Sequence, residues 1–374
     1  MYFRLFSFYQ RLGLIGFCIM LIQNILLETN EFNFIETWEE AVITDQSLVC
    51  QTGITRSNIR QCKEISVVLK KPSVLVIGNS RINGFRANMF DTLSFYNLSK
   101  FRIGFKPTLD YLKTLKEDEL PKYLFLLIEP YQFSYGFENR KYADEQSQYP
   151  PETILKSIIP FASALNDKKL SKILTQNKYR GIKSKTKTRG YRTNDGSYHY
   201  GNSKNTSIER QIAHLDKLTS NSLKVYGKYL FENFNQSLDH NSFDVYSKLI
   251  DYTNEKNIIV IGITLPYCQQ IQDELDSDKS KYKMWNEFHS DETNQRLKKI
   301  NKYYYNFSRF GDFEGYNYEM IDQIHPSEKL VGRIIYTLLN ENRDFQDLFP
   351  SFDKHYFKAR IESSDKPLMD VFSN

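Results

Sequence analysis

The stretch Ser73-Val-Leu-Val-Ile-Gly-Asn-Ser80-Arg-Ile-Asn-Gly84 decides the fold class of this 374-residue chain. Its first half is a continuous apolar run that ends at Gly78, which is typical of a parallel strand buried on both faces. Residues 94–99, 123–128 and 258–265 form three further strand-like runs. Because helical patterns separate these runs, the sequence predicts an α/β fold with a mainly parallel, doubly wound sheet.

The helical patterns lie at 107–118, 242–255 and 326–342, where apolar residues recur on one face, and in a long charged segment at about 281–303. Between about 134 and 205 the pattern gives way to polar, basic and Tyr/Gly-rich sequence. We interpret this segment as an insertion at the C-terminal side of the sheet. In sheets of this kind, active sites lie beyond the C-terminal ends of the strands.

An uncharged apolar segment covers residues 12–27, with Arg4 and Arg11 before it and Glu28 after it. Together with the apolar residues that precede it, the segment can span a bilayer of about 30 Å. The positive-inside rule places the N-terminus in the cytoplasm, and no small-residue cleavage site follows. We therefore expect residues 1–28 to be an uncleaved, single-pass anchor in the cell membrane, with the main domain outside the cytoplasm. The alternative is an amphipathic or buried N-terminal helix.

These patterns divide the chain into the anchor, a polar lead-in at 29–70, an α/β domain at 71–342 that carries the insertion, and a tail at 343–374 that packs back on the domain. Hydrophobic residues make up 40% of the chain and charged residues 25%, which allows a packed core. The formal charge of +5 is too small to imply a polyanionic partner. No nucleic-acid-binding motif occurs, so nucleic acid is not expected as a partner.

Cys50 and Cys62 bracket a short polar segment just outside the anchor. In an oxidising compartment they could close a small disulfide loop; the alternative is two free thiols, because sequence alone does not give their geometry. No Cys or His spacing in the chain resembles a zinc site.

The insertion carries a basic run from Lys168 to Arg192 without an acidic residue. One interpretation of this run is a solvated, mobile loop. The functional interpretations are a lid that attracts an anionic polymer, or a surface that rests on anionic lipid headgroups.

Two short motifs have the residue types of nucleophilic catalysis. Ser80 follows the first strand at a strand-to-helix turn, where backbone N–H groups can stabilise a developing oxyanion. A serine hydroxyl needs a general base, and that base needs an acid to orient it. Asp322-Gln-Ile-His325, just before the last helix, supplies both. The alternatives are a simple N-cap role for Ser80 and a structural Asp322–His325 pair that closes a loop.

Taken together, the two motifs resemble the SGNH (GDSL-type) serine hydrolase superfamily. Gly78-Asn-Ser80 matches the family's first block with Asn in place of Asp, and Asp322 to His325 matches its last block. Gly104 is similar to the second-block glycine, whose N–H helps to form the oxyanion hole. The third block, Gly-x-Asn-Asp, is replaced by Ile128-Glu-Pro-Tyr-Gln-Phe133, which removes one oxyanion donor. With the anchor, the pattern resembles membrane-bound proteins that acylate cell-surface polymers, such as those of teichoic acid and alginate modification.

The resemblance implies a flavodoxin-like three-layer sandwich and a catalytic triad of Ser80 as nucleophile, His325 as general base and acid, and Asp322 as its orienter. The oxyanion would be held by the N–H groups of Ser80 and Gly104. Asn79 and Arg81 flank the nucleophile and are predicted to contact substrate. No metal or organic cofactor is needed for this chemistry.

The activity implied is acyl transfer or ester cleavage on O-acyl groups of a cell-surface polysaccharide or similar polymer, beside a membrane-bound O-acyltransferase. The alternative is a non-catalytic partner of the same fold that binds the polymer or the acyltransferase. A purely structural envelope protein is a third interpretation. It would tolerate the loss of both Ser80 and His325.

Overall fold

The computed structural model describes residues 2–29, 31, 34–44, 48–49, 56–90, 93–99, 104–137, 162, 179–181, 185, 189–201, 207–227, 234–363, 368–369 and 371–372. Two compact units are present. The smaller unit comprises residues 1–62, 144–194 and 198–202, and the larger unit comprises residues 63–143, 195–197 and 203–374.

The helices, numbered in chain order over the described residues, are α1 (Tyr2–Glu28), α2 (Phe34–Ile43), α3 (Arg56–Lys70), α4 (Phe105–Leu112), α5 (Ile208–Gly227), α6 (His240–Glu255), α7 (Gln269–Ser277), α8 (Lys283–Phe288), α9 (Asp291–Ile300), α10 (Glu328–Glu341), α11 (Arg343–Leu348) and α12 (Lys354–Ser363). The strands are β1 (Leu48–Val49), β2 (Val74–Gly78), β3 (Phe95–Ser99), β4 (Tyr123–Leu127), β5 (Tyr179–Arg180), β6 (Gly190–Tyr191), β7 (Tyr198–His199), β8 (Ile259–Thr264) and β9 (Tyr304–Asn306).

The larger unit is built on a five-stranded sheet with the order β3-β2-β4-β8-β9. Every neighbouring pair of these strands is parallel. From β2 the chain forms β3 on one side of β2, then returns to form β4 on the other side, and β8 and β9 follow beyond β4. The strand order therefore reverses between β2 and β4. In open α/β sheets this reversal leaves a crevice at the carboxyl ends of the two strands, where ligands bind.

Helices cover both faces of this sheet. Phe125 on β4 pairs in register with Ile261. Its ring packs in a tilted arrangement on that of Phe349, which follows α11, at a centroid distance of 6.0 Å. Side chains alternate along a strand, so the next position along β8, Gly262, lies on the opposite face of the sheet from Ile261. There a Cβ atom on Gly262 would lie 3.2 Å from the hydroxyl of Tyr246 on α6. The predicted α/β fold with a parallel sheet is therefore confirmed.

Two parts of the sequence-based prediction need correction. The segment 281–303 is not one helix: α8 ends at Phe288, and Ser290 then caps α9 by accepting a hydrogen bond from the Thr293 N–H at 3.2 Å. A serine in this position favours a new helix start over a continuous helix. The chain next forms the edge strand β9, which was not predicted, because Tyr304–Asn306 has no continuous apolar run.

The C-terminal tail belongs to the larger unit. Phe345, Phe352, Phe357 and Ile361 of this tail are all buried in the core of that unit. Burial of these large apolar side chains stabilises the unit by about 1.5–3 kcal/mol each.

The smaller unit contains a four-stranded sheet with the order β5-β1-β6-β7. The lead-in contributes β1 and the insertion contributes the other three strands, so the two segments form one structure instead of the separate parts that the sequence suggested. Trp38, Val49 and Tyr191 are among the buried residues of its core. Cys62 is buried, whereas Cys50 lies outside the described residues, and the disulfide between them stays a prediction.

Most of the basic run in the insertion also lies outside the described residues. Of the described ones, Lys185 and Arg192 are buried, with exposed fractions of 5% and 7%. The interpretation of the run as a solvated loop is therefore wrong at these two positions.

Helix α1 is apolar along most of its length. Its segment Ser7–Glu28 has a mean hydropathy of 1.6 and is 11% buried over its most apolar window. By length and composition it is able to cross a membrane.

Gly78 provides a test of the packing at the end of β2. A Cβ atom there would lie 2.7 Å from the Cβ of Leu127 and 3.2 Å from the Cγ2 of Ile82. We expect Gly78→Ala to lower the free energy of unfolding by about 1–3 kcal/mol, because overpacking forces neighbours apart. Thermal unfolding, followed by Trp285 fluorescence in a Trp38→Phe background, measures the change.

The matched control is Gly311→Ala, since a Cβ at that position meets no atom within 4 Å. It should change the stability by less than about 0.5 kcal/mol. Equal losses for the two variants would contradict the packing argument.

Candidate active site

Ser80 lies at the crevice between β2 and β4. It begins a short 3-10 helix, Ser80–Gly84, immediately after the end of β2. The preceding residue, Asn79, caps this helix: its Oδ1 accepts the N–H of Arg81 at 2.7 Å. The first N–H of a helix has no acceptor within the helix, so the Ser80 N–H is available to a substrate oxygen.

The last residue of this 3-10 helix allows a close approach to the start of α10. A Cβ atom on Gly84 would lie 2.8 Å from the carbonyl oxygen of Ser327. Ser327 in turn caps α10, and its Oγ accepts the N–H of Leu330 at 3.1 Å. Glycine at position 84 therefore brings the turn that carries Ser80 against the segment that carries His325.

Ser80, His325 and Asp322 form a continuous hydrogen-bonded chain. The Oγ of Ser80 lies 2.7 Å from Nε2 of His325. The Nδ1 of His325 lies 2.8 Å from both carboxylate oxygens of Asp322. The His325 and Asp322 side chains are 14% and 22% exposed, so the chain is shielded but open to solvent at one edge. The three residues that the sequence singled out as a triad are brought together.

Backbone hydrogen bonds hold the loop that carries the acid and the base. The N–H of Ile321 donates to the carbonyl of His325 at 2.8 Å, and the N–H of Ser327 donates to the carbonyl of Glu319 at 3.2 Å. Oδ1 of Asp322 also accepts the N–H of His325 at 3.0 Å. These hydrogen bonds hold His325 in a closed loop, which restricts the orientation of its side chain.

The carboxylate of Asp322 is ionised at neutral pH. Burial acts to raise its pKa, but the neighbouring His325 and the hydrogen bonds from His325 and from backbone N–H groups outweigh burial, so the pKa lies below its ordinary value. An ionised carboxylate holds the Nδ1–H tautomer of His325, which leaves Nε2 as the acceptor for the serine proton.

The structure corrects the predicted role of Arg81. Its side chain is 1% exposed and makes an ion pair with the buried Glu129 at the end of β4. Nε donates to the carbonyl of Ile324 at 2.9 Å, and one terminal nitrogen donates to the carbonyls of Leu265 and Pro266, both at 2.7 Å. Because these protein acceptors occupy the guanidinium, Arg81 is not placed to contact substrate as predicted; it links the turn after Ser80 to the ends of other segments.

Tyr267 completes the environment of this buried pair. Its hydroxyl donates to Oε2 of Glu129 at 2.9 Å, and its ring lies 3.9 Å from the guanidinium carbon of Arg81. Burial raises the pKa of Glu129, while Arg81 and the Tyr267 hydrogen bond counter that effect. Sequence reasoning missed Glu129 and Tyr267. The only signal in the sequence was the pair Glu129-Pro130, which follows β4.

Asn79 was also predicted to contact substrate. Its Oδ1 is occupied by Arg81, and its Nδ2 donates to the hydroxyl of Tyr131 at 2.7 Å. One amide hydrogen remains outside these two bonds, so direct contact with substrate stays a prediction. Sequence reasoning also missed Tyr131, which lies in the segment 128–133 that replaces the third block.

Gly104 is the N-cap residue of α4 and follows β3, the strand beside β2. Its φ angle of 146° is one that side-chain-bearing residues rarely adopt, so glycine is needed here. Residues 100–103 lie outside the described residues, and the role of the Gly104 N–H as an oxyanion donor stays a prediction. Within the described ranges, no group of three or more His, Cys, Asp or Glu side chains is placed to hold a metal ion.

No protein-family model matches this chain, and no curated protein matches it. The chemistry assigned to the site therefore depends on the geometry of its own residues. In that geometry a hydroxyl, an imidazole and a carboxylate follow one another at hydrogen-bond distance.

Substitution of Glu129 tests the buried ion pair. Glu129→Gln keeps the shape of the side chain but leaves the buried Arg81 charge without a counterion, so we expect a loss of about 3 kcal/mol or more in the free energy of unfolding. Asp110→Asn is the control, since Asp110 pairs with Lys106 at 2.7 Å on an exposed surface. It should cost less than about 1 kcal/mol. Chemical unfolding measures both, and similar losses would contradict the inference.

The depressed pKa of Asp322 predicts a pH dependence. A carboxylate whose pKa is lower in the folded chain stabilises the fold above its unfolded pKa of about 3.9, and this stabilisation is lost as the pH falls through the folded value. Wild type should therefore be more stable than Asp322→Asn at pH 7, and the difference should shrink below about pH 4.

Melting temperatures of the two proteins across pH 3–8, with Asp251→Asn as an exposed control on α6, measure the effect. A wild-type advantage that grows as the pH falls would contradict the assigned direction.

Proposed function

We propose that this chain is a membrane-anchored SGNH-type serine acyltransferase or esterase that acts on O-acyl groups of a cell-surface glycan. The observation that carries the proposal is the hydrogen-bonded chain from Asp322 through His325 to the Ser80 hydroxyl. Its distances are those required for proton transfer from a serine nucleophile to a general base.

The mechanism follows from the roles of the three side chains. Ser80 Oγ attacks the acyl carbonyl carbon while its proton passes to Nε2 of His325. The carbonyl electron pair moves to oxygen, and the resulting oxyanion meets the Ser80 N–H. When the intermediate collapses, His325 returns the proton to the leaving oxygen, and Ser80 keeps the acyl group as an ester. A glycan hydroxyl or water then attacks this ester by the same steps in reverse.

The fold supports the SGNH assignment. The nucleophile follows the first strand of a parallel sheet, and the acid and base precede the last helix of the α/β core. The strand order is the flavodoxin-like order 2-1-3-4-5, in which the crevice lies between the first and third strands. Ser80 follows the first of these strands and Glu129 the third.

The anchor supports the assignment of the substrate. A single apolar helix at the N-terminus, with basic residues before it, is the pattern of a signal anchor whose main domain lies outside the cytoplasm. Polymeric glycans and membrane-bound O-acyltransferases are the substrate and partner available to a serine enzyme held at that surface.

The first test is labelling by a fluorophosphonate probe, which reacts with activated serines. The full chain in mild detergent should be labelled, and Ser80→Ala and His325→Ala should each lose labelling, because the first lacks the nucleophile and the second lacks its base.

The matched controls are Ser280→Ala and His355→Ala, both at exposed positions away from the site, and they should keep wild-type labelling. A folded wild type that stays unlabelled would favour the alternative of a non-catalytic partner that binds the polymer or the acyltransferase.

A further inference from the structure

The rate of the proposed reaction depends on the hydrogen-bond donors at the oxyanion. Negative charge develops on the acyl oxygen as Ser80 attacks, and preorganised donors at that oxygen supply a large part of catalysis in acyl transfer. The Ser80 N–H is one such donor. Arg81, the nearest cation in sequence, is directed at Glu129 and backbone carbonyls and is not available.

Tyr131 lies at the same crevice as Ser80. It is part of the short 3-10 helix Pro130–Phe133, which follows β4, and this helix is capped by a hydrogen bond from the Glu129 N–H to Oε1 of Gln132 at 2.7 Å. The Tyr131 ring packs on Phe137 at 5.5 Å. Its hydroxyl reaches across to Asn79, the residue beside the nucleophile.

The direction of the Asn79–Tyr131 hydrogen bond is determined by the other contact of Asn79. Because Oδ1 of Asn79 accepts the N–H of Arg81 at 2.7 Å, the atom that faces Tyr131 is Nδ2. An amide nitrogen of this kind only donates, so the phenol oxygen accepts. The hydroxyl hydrogen of Tyr131 then remains for another acceptor, and among the described residues none is assigned to it.

The phenol keeps this hydrogen at neutral pH. Burial, followed by the nearby charge of Glu129, raises the pKa of Tyr131 well above its usual value of 10.0. Tyr131 is 8% exposed, so bulk water competes little for the hydrogen.

We infer that Tyr131 donates its hydroxyl hydrogen to the acyl oxygen and serves as a second oxyanion donor in the reaction proposed above. The Ser80 N–H and the Tyr131 O–H then bind the same oxygen as the carbonyl electron pair moves onto it, and no proton leaves the phenol. The resemblance to SGNH hydrolases implies an asparagine donor in the third block, which the segment 128–133 replaces. Tyr131 thereby takes the place of that asparagine. This inference rests on the proposed function.

The experiment measures hydrolysis of p-nitrophenyl acetate by the full chain in detergent for wild type, Ser80→Ala, Tyr131→Phe and Tyr246→Phe. Tyr246 is the matched control, because its buried hydroxyl also accepts an amide hydrogen, from Asn301 at 3.0 Å, but lies on α6 away from the triad. Both phenylalanine variants keep the ring and leave one asparagine amide without its acceptor.

We expect Tyr131→Phe to lower kcat by about 10²–10³ with little change in KM, as for loss of an oxyanion donor. Tyr246→Phe should stay within about threefold of wild type in both parameters.

Three outcomes would overturn the inference. They are a kcat for Tyr131→Phe near that of wild type, a change confined to KM, and equal losses in the two phenylalanine variants. The proposed function is judged separately by Ser80→Ala: if wild type has no turnover beyond that of Ser80→Ala, both the proposed function and this inference fail. If Ser80→Ala is inactive but Tyr131→Phe is not impaired, only the inference fails.

Discussion

The buried ion pair between Arg81 and Glu129 is the interaction on which the site depends. Two charges removed from water are tolerated only when each is paired and hydrogen-bonded, and here the guanidinium also donates to three backbone carbonyls. Those carbonyls belong to the end of β8 and to the loop before α10, while Glu129 belongs to the end of β4. A single side chain thus joins the ends of three segments that the chain order keeps far apart.

This arrangement explains why the Ser80 hydroxyl and the His325 imidazole lie 2.7 Å apart. Arg81 directly follows Ser80, and its Nε holds the carbonyl of Ile324, which directly precedes His325. The residue after Ser80 is therefore joined to the residue before His325 by one side-chain-to-backbone hydrogen bond. Gly84 and Ser327 make a second close contact between the same two segments. These contacts, together with the three side chains themselves, fix the distances between Ser80, His325 and Asp322.

The sequence predicted β2, β3, β4 and β8 because apolar side chains dominate each of these short runs. It predicted Ser80, Asp322 and His325 because their residue types and order are specific. It did not predict β9, which lies at the sheet edge and consists of two tyrosines and an asparagine. Nor did it predict Glu129, Tyr131 and Tyr267 as part of the site, since their contacts join positions remote in sequence. Arg81 shows what sequence alone does not reveal. Its position next to Ser80 suggested that it contacts substrate, but in the structure its guanidinium is directed at Glu129 and at backbone carbonyls.

The smaller unit is assembled from chain segments separated by more than eighty residues. Trp38 and Val49 from the lead-in share one buried cluster with Tyr191 from the insertion. The strands β1 and β6 of the same two segments pair with each other. Synthesis at about 5–20 residues per second leaves about 7–28 seconds between the addition of Val49 and that of Tyr191. Throughout that interval a tryptophan and several aliphatic side chains stand unburied beside an apolar helix. The core of the smaller unit therefore cannot be completed while only the lead-in has been synthesised.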